Sequence, residues 1–158
     1  MSACSPGKPQ FRGVDITGAD YAKDFALTDF NGQPRTLADF RGKVVVIFFG
    51  FTQCPDICPT TLAVLAQAGR QLGDLPQAEQ PRVLLVSVDP ERDTPQVIRA
   101  WLDHFDKRFI GLTGTQAEVD SAQVAMRLPP AYREAIPGAP YQVGHSAHVI
   151  AFTKDGMA

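Results

Sequence analysis

The sequence predicts an α/β fold with a central sheet flanked by helices, and three observations predict it. Val44–Phe49 and Arg82–Val88 are short, nearly continuous apolar runs, the pattern of strands buried on both faces of a sheet. Between them, Thr60–Leu75 carries Leu62, Leu65, Ala66 and Leu72 at helical spacing, which makes the two strands parallel and their crossover right-handed. Helical and strand-like segments go on alternating after the second strand. The 158 residues suit one domain. Residues 22–158 read as that domain, and residues 1–21, polar and punctuated by Gly and Pro, as an extended arm.

In chain order, Asp24–Asp29 and Gln33–Leu37 flank Asn31-Gly32, a strong short-range signal for a hairpin turn. Thr36 or Asp39 opens a short helical turn that Gly42 ends. The buried strand Val44–Phe49 follows, then a turn over Gly50–Gln53 and the crossover helix. Gly73–Pro81 is a loop before the second strand. The segment Asp89–Pro95 then stands at the C-terminal end of a parallel strand, where ligands of open α/β sheets bind. Its charges serve either a partner or a solvated cap, with Thr94 opening the next helix and Pro95 in its first turn.

That helix reads as Pro95–Lys107, with Val97, Ile98, Trp101, Leu102 and Phe105 inward and His104 on the solvated side. Phe109–Leu112 is a short strand. Thr115–Leu128 is a further helix, capped by Thr115 with Glu118 three residues on, and Met126 fills core in it. Pro129–Gly144 has no period and reads as a long loop, a length that in a compact domain points to function or mobility. Ala147–Thr153 is the last strand, and Lys154-Asp155-Gly156 a turn.

Composition narrows the function. The net charge of −2 implies neither a nucleic-acid partner nor an anionic membrane surface. No apolar run approaches the roughly 18 residues of a membrane helix. Three cysteines do not make the disulfide framework of a small secreted scaffold. They read as one pair, Cys54 and Cys58, and one outlier, Cys4.

Cys54 and Cys58 are each followed by proline and stand where the first buried strand hands over to a helix. Positions i and i+4 share a helix face, so the two sulfurs face one space, and Pro55 suits a first helical position. A thiolate at a helix N-terminus is stabilised, which predicts a pKa below the free value of about 8.5. The pair can close a disulfide or bind a soft metal such as copper(I), zinc or an iron–sulfur cluster. A purely structural bridge over four residues closes little loop entropy and stabilises little. Of the three histidines, His145 opens the last strand, whose start a sheet can bring beside the end of Val44–Phe49. Cys54, Cys58 and His145 are therefore a candidate three-coordinate site with an open position. Alternation along a strand turns His148 to the opposite face. The long Pro129–Gly144 stretch becomes a flap beside that site, with Tyr132, Arg133 and Tyr141 either touching a partner or packing.

The segments GFTQCPDICPTTL, VSVDPERDTP and YQVGHSAHVIAFTKDG, in that order, resemble the Sco/SenC family, from about Asp24 to the end of the chain. The resemblance implies a thioredoxin-like fold with a mixed central sheet and an N-terminal β-hairpin. It implies a copper metallochaperone that helps assemble the dinuclear copper site of cytochrome c oxidase, holding Cu(I) or Cu(II) through Cys54, Cys58 and His145. The implied partners are the copper-site subunit of the oxidase and other copper or thiol-redox proteins. Gly144 departs from the acidic residue usual before the histidine in that family. The thioredoxin-like fold also closes with an antiparallel strand and a helix beyond the point where this chain stops, so His148–Thr153 is predicted to be an exposed edge, prone to pairing with another chain. Ser2-Ala3-Cys4 resembles the end of a bacterial lipoprotein signal. That reading anchors the domain on the periplasmic side of a bacterial membrane; otherwise Cys4 is a thiol in a disordered tail.

Other chemistries fit parts of the pattern. The cysteines could act as a thiol–disulfide pair that keeps a partner's cysteines reduced. Thioredoxin-type enzymes place two residues between their cysteines, where this chain has Pro55, Asp56 and Ile57. A disulfide cannot hold copper, so the two duties are compatible as alternating states. The segment Phe25–Pro55 is also similar to peroxiredoxins, but those place a threonine or serine three residues before the reactive cysteine. Here that position is Phe51, and Thr52 is two before. Zinc is chemically acceptable to two thiolates and an imidazole.

Overall fold

The computed structural model describes residues 10–156, so the lipid-anchor reading of Cys4 lies outside the described residues. A six-stranded sheet runs in the order β2-β1-β5-β4-β3-β8. Its members are β1 (Ala26–Asp29), β2 (Pro34–Thr36), β3 (Val45–Gly50), β4 (Arg82–Ser87), β5 (Ile110–Thr113) and β8 (Val149–Phe152). β3, β4 and β5 are parallel neighbours, while β1 pairs antiparallel with β2 and β5, and β8 antiparallel with β3. The helices are α1 (Ile57–Gln71), α2 (Pro95–Leu102) and α3 (Gln116–Ala125), with one 3₁₀ turn at Leu37–Phe40. This is the mixed sheet with helices and an N-terminal hairpin that the sequence predicts. No helix of the described residues is long and apolar enough to cross a membrane.

The hairpin forms where Asn31-Gly32 placed it, with Gly32 at φ +80°. Asp29 holds the turn by accepting from the backbone N–H groups of Asn31 and Gln33 and from Arg35 Nε. Thr94 and Thr115 cap α2 and α3 as expected, and Glu118 completes a capping box. The central strands are dry: Ile47, Phe48, Leu84 and Leu85 have no exposed surface.

Four expectations need correction. Helix α1 starts at Ile57 after Asp56, so Cys58 lies in its first turn, whereas Pro55 and Cys54 precede it. Helix α2 ends at Leu102, and Val97 is exposed, because so short a helix buries only the stripe of Ile98 and Leu102. β8 starts at Val149, leaving residues 145–148 outside any strand. The stretch Pro129–Gly144 is a β-hairpin, β6 (Tyr132–Ile136) with β7 (Ala139–Gly144), turning at Gly138 with φ +73°. It shows no apolar period because β6 is exposed throughout. β8 has β3 as its partner and ends the sheet order among the described residues, in keeping with the predicted edge.

Where α2 crosses β5, Gly111 lets the helix approach: an added Cβ would lie 2.2 Å from Ile98 Cγ2. Gly111→Ala is expected to cost roughly 1–3 kcal/mol through overpacking. Urea unfolding measures this, and an unchanged midpoint would reject the close approach.

Candidate metal centre

The site lies where β3 and β4 end side by side. From β3 the chain turns through Phe51 to Cys54, whose N–H donates to the Phe51 carbonyl at 3.3 Å. Asp93, 1 % exposed, fixes this turn to the end of β4. It accepts from Thr52 N–H (3.0 Å), Thr52 Oγ1 (2.6 Å) and Ser87 Oγ (2.7 Å). Cys58 then enters α1, and its backbone N–H donates to Cys54 Sγ at 3.4 Å. Gly50 makes room for the second thiol, since a Cβ there would sit 3.0 Å from Cys58 Sγ and 2.9 Å from the Phe48 ring.

The imidazole arrives from β7. His145 Nδ1 lies 2.8 Å from the Ser146 carbonyl, which can only accept, so Nδ1 carries the proton. That leaves the Nε2 lone pair facing Cys58 Sγ at 3.4 Å, as acceptor from the thiol. Phe51 and Phe48 meet the ring edge-on, with centroids 5.6 and 6.1 Å away. The ligand atoms of Cys54, Cys58 and His145 all lie within 4.8 Å of one another. The three residues singled out in the sequence are thus brought together, and both thiols are free.

The expectation of lowered thiol acidity constants fails at Cys58. Burial, and then the hydrogen bond with Cys54, push its pKa well above the ordinary value. Cys58 has no exposed surface, and loss of hydration outweighs the favourable helix terminus. An incoming metal must therefore displace the Cys58 proton. What remains is a soft donor set of two sulfurs and one imidazole nitrogen. The same two sulfurs can alternatively approach to the roughly 2.05 Å of a disulfide.

Tyr132, Gly144, His145, Ser146 and His148 line a groove of about 570 Å³ beside the imidazole. His148 therefore does not turn to an opposite face, because its segment is not a strand. Its Nδ1 lies 2.5 Å from Ser146 Oγ, and it remains outside the set of three ligands. His104 stays at the surface with Nδ1 against the Ala100 carbonyl, and Met126 lies in the core, both as expected. A Cβ on Gly144 would fall 2.3 Å from Tyr132 Cζ, so the tyrosine ring lies directly on the glycine. The sequence reading missed the roles of Asp93, Phe48 and Phe51. The one signal for Asp93 was the position of its loop at a strand's C-terminal end.

The family model described as SCO1/SenC matches residues 14–158. The chain is 39 % identical over 137 residues to the mitochondrial SCO2 homolog of Mus musculus, covering 85 % of this chain and 52 % of that protein. It is 39 % identical over 132 residues to a putative copper-binding protein of Stutzerimonas stutzeri, covering 82 % and 63 %. The chain thus spans about half the length of the mitochondrial relatives it matches. Its fold is similar to copper-bound Bradyrhizobium japonicum ScoI, with a TM-score of 0.78, 34 % identity and 87 % of each chain covered. It is similar also to copper-bound yeast Sco1, with a TM-score of 0.75, 33 % identity, and 87 % and 77 % covered.

In the folded, metal-free protein, Cys54, which is partly exposed, should be alkylated by iodoacetamide well before Cys58, which is buried and protonated. Peptide mapping of a time course reads the order. Equal rates in the native state, matching those in denaturant, would contradict the burial of Cys58.

Proposed function

The chain belongs to the SCO1/SenC family, and from that membership we propose that it binds copper through Cys54, Cys58 and His145 and passes it on in assembly of the dinuclear copper site of cytochrome c oxidase. The observation that carries this reading is the convergence of two sulfurs and an imidazole nitrogen within 4.8 Å. The copper-bound structures of similar proteins support copper over zinc, which the donors alone do not exclude.

Copper is the cargo. On loading, Cys58 gives up its proton and the Nε2 lone pair of His145 exchanges the thiol hydrogen for the ion. The Ser146 carbonyl keeps Nδ1 protonated and so keeps Nε2 available. Three protein donors leave a coordination position through which an acceptor's thiolate or imidazole can enter before a donor leaves. The thiols sit on a turn stapled by Asp93, while the imidazole comes from the end of a separate hairpin. That asymmetry makes His145 the donor that yields first. In this reading residues 22–158 are the working domain, and the arm ahead of it tethers it to the periplasmic face of a membrane.

A second reading rests on the free, adjacent thiols. The more exposed Cys54, as thiolate, attacks a partner's disulfide to give a mixed disulfide and one released partner thiol. Cys58 then displaces the second, leaving Cys54–Cys58 oxidised and the partner reduced by two electrons.

Anaerobic Cu(I) titration against a chromophoric chelator tests the first reading. The parent should bind one equivalent. Cys54→Ala and Cys58→Ala should abolish tight binding, and His145→Ala should weaken it by more than the roughly tenfold typical of an outer-shell change. Equal binding by all four proteins would end the copper reading.

A further inference from the structure

One guanidinium group touches both halves of the site. Arg92 Nη1 donates to Gln53 Oε1 at 3.2 Å, next to Cys54, and to the Tyr141 carbonyl at 3.0 Å, in the strand that delivers His145. Its Nε pairs with Asp89, which is fully buried. The Tyr141 hydroxyl donates to the other oxygen of the same carboxylate at 2.7 Å. The Arg92 guanidinium carbon also lies 3.8 Å over the Tyr141 ring. Arg133 of β6 adds a second guanidinium 4.8 Å over that ring and is itself held by Glu91 at 2.6 Å.

These contacts matter because they tie the hairpin directly to the cysteine turn. β6 is exposed along its length, and the hairpin pairs with no strand of the main sheet among the described residues. Val143 is its buried apolar anchor, and Tyr141 stands two residues before it, on the same side of β7. Val143 packing resists removal of the hairpin, but apolar contact is non-directional and does not set its angle. Hydrogen bonds at both ends of Tyr141, to a buried carboxylate and a mostly buried arginine, do set it. His145 follows two residues after Val143.

We infer that Asp89, Arg92 and Tyr141 are positioning residues that latch the hairpin to the cysteine turn and so hold the His145 imidazole against the two sulfurs. Loosening the latch leaves the thiols in place and lets the imidazole withdraw. The inference rests on the copper reading and names what governs the first step of release. Burial and the Asp89 hydrogen bond both push the Tyr141 phenol above its ordinary pKa, so it stays a donor at neutral pH. Arg92 Nη2 is buried without a hydrogen-bond partner among the described residues, so this arginine is kept in place at some cost.

The test is a double-mutant cycle on Cu(I) affinity with Tyr141→Phe, His145→Ala and both together. Tyr141→Phe removes one hydroxyl and leaves the ring and the fold. It should weaken Cu(I) binding about tenfold, the size expected for one hydrogen bond to a buried charge, and do nothing further in the His145→Ala background. Its Cu(II) form should also lose nitrogen hyperfine splitting in the electron paramagnetic resonance spectrum, a signal that a general loss of stability does not move. Arg92→Gln should show the same dependence on His145 with a larger loss. Equal losses with and without His145, or no loss, would overturn the latch. A parent that binds no copper would defeat the copper reading and the latch together; a copper-binding parent with an additive cycle defeats the latch alone.

Discussion

A single buried carboxylate, that of Asp93, decides where the cysteines stand. Burying an ionised group is costly unless donors replace its water, and here three neutral donors do so: the Thr52 amide, the Thr52 hydroxyl and the Ser87 hydroxyl. Two of these belong to the turn after β3 and one to the end of β4. The parallel pairing of β3 and β4, in register from Val45 with Arg82 to Gly50 with Ser87, brings them level. The carboxylate converts that register into a fixed turn, and the turn sets the spacing of the two thiols. Remove the parallel crossover and the carboxylate would have nothing to join.

With the thiols fixed, their surroundings set the chemistry. Two opposed effects meet at Cys58: the helix start favours a thiolate, and a wholly dry position favours the thiol. Dehydration wins, with the neighbouring sulfur adding to it. The metal-free site therefore stores a proton between Cys58 and the imidazole, not a free thiolate open to stray oxidants. A soft cation can compensate the lost hydration where a proton acceptor in water cannot. The same burial that makes Cys58 a poor nucleophile makes it a good ligand. The more exposed Cys54 is left as the sulfur that a partner meets first.

Much of this was legible in the sequence, and the limits have physical causes. The runs at Val44–Phe49 and Arg82–Val88 announce central strands because both their faces are dry. The capping residues Thr94 and Thr115 announce helix starts because backbone donors need local partners. The grouping of Cys54 with Cys58 follows from their separation. His145 is singled out by its place at the start of the last strand and by the resemblance together, since a contact across 87 residues leaves no local mark. The β6–β7 hairpin was invisible because a strand exposed on both faces carries no alternation. Alternation does not place His148 because residues 145–148 lie outside any strand. Asp89, Arg92 and Tyr141 looked like ordinary loop and packing residues, as their roles exist only once two distant segments meet.

The groove beside His145 follows from one absent side chain. Tyr132 and Gly144 are cross-strand partners in the hairpin, and the ring lies where a Cβ on residue 144 would be. An aspartate at that position would meet the ring and require it to shift. With glycine the wall beside the imidazole presents a phenol and the His148 ring, and none of the residues lining this groove is acidic. Negative charge among the ligands themselves then comes from the two thiolates, with the Asp93 carboxylate behind the turn. A carboxylate at residue 144 would add anionic charge close to the imidazole and favour the more highly charged, harder oxidation state of copper. Here the space that a side chain at residue 144 would take is occupied by the Tyr132 ring instead.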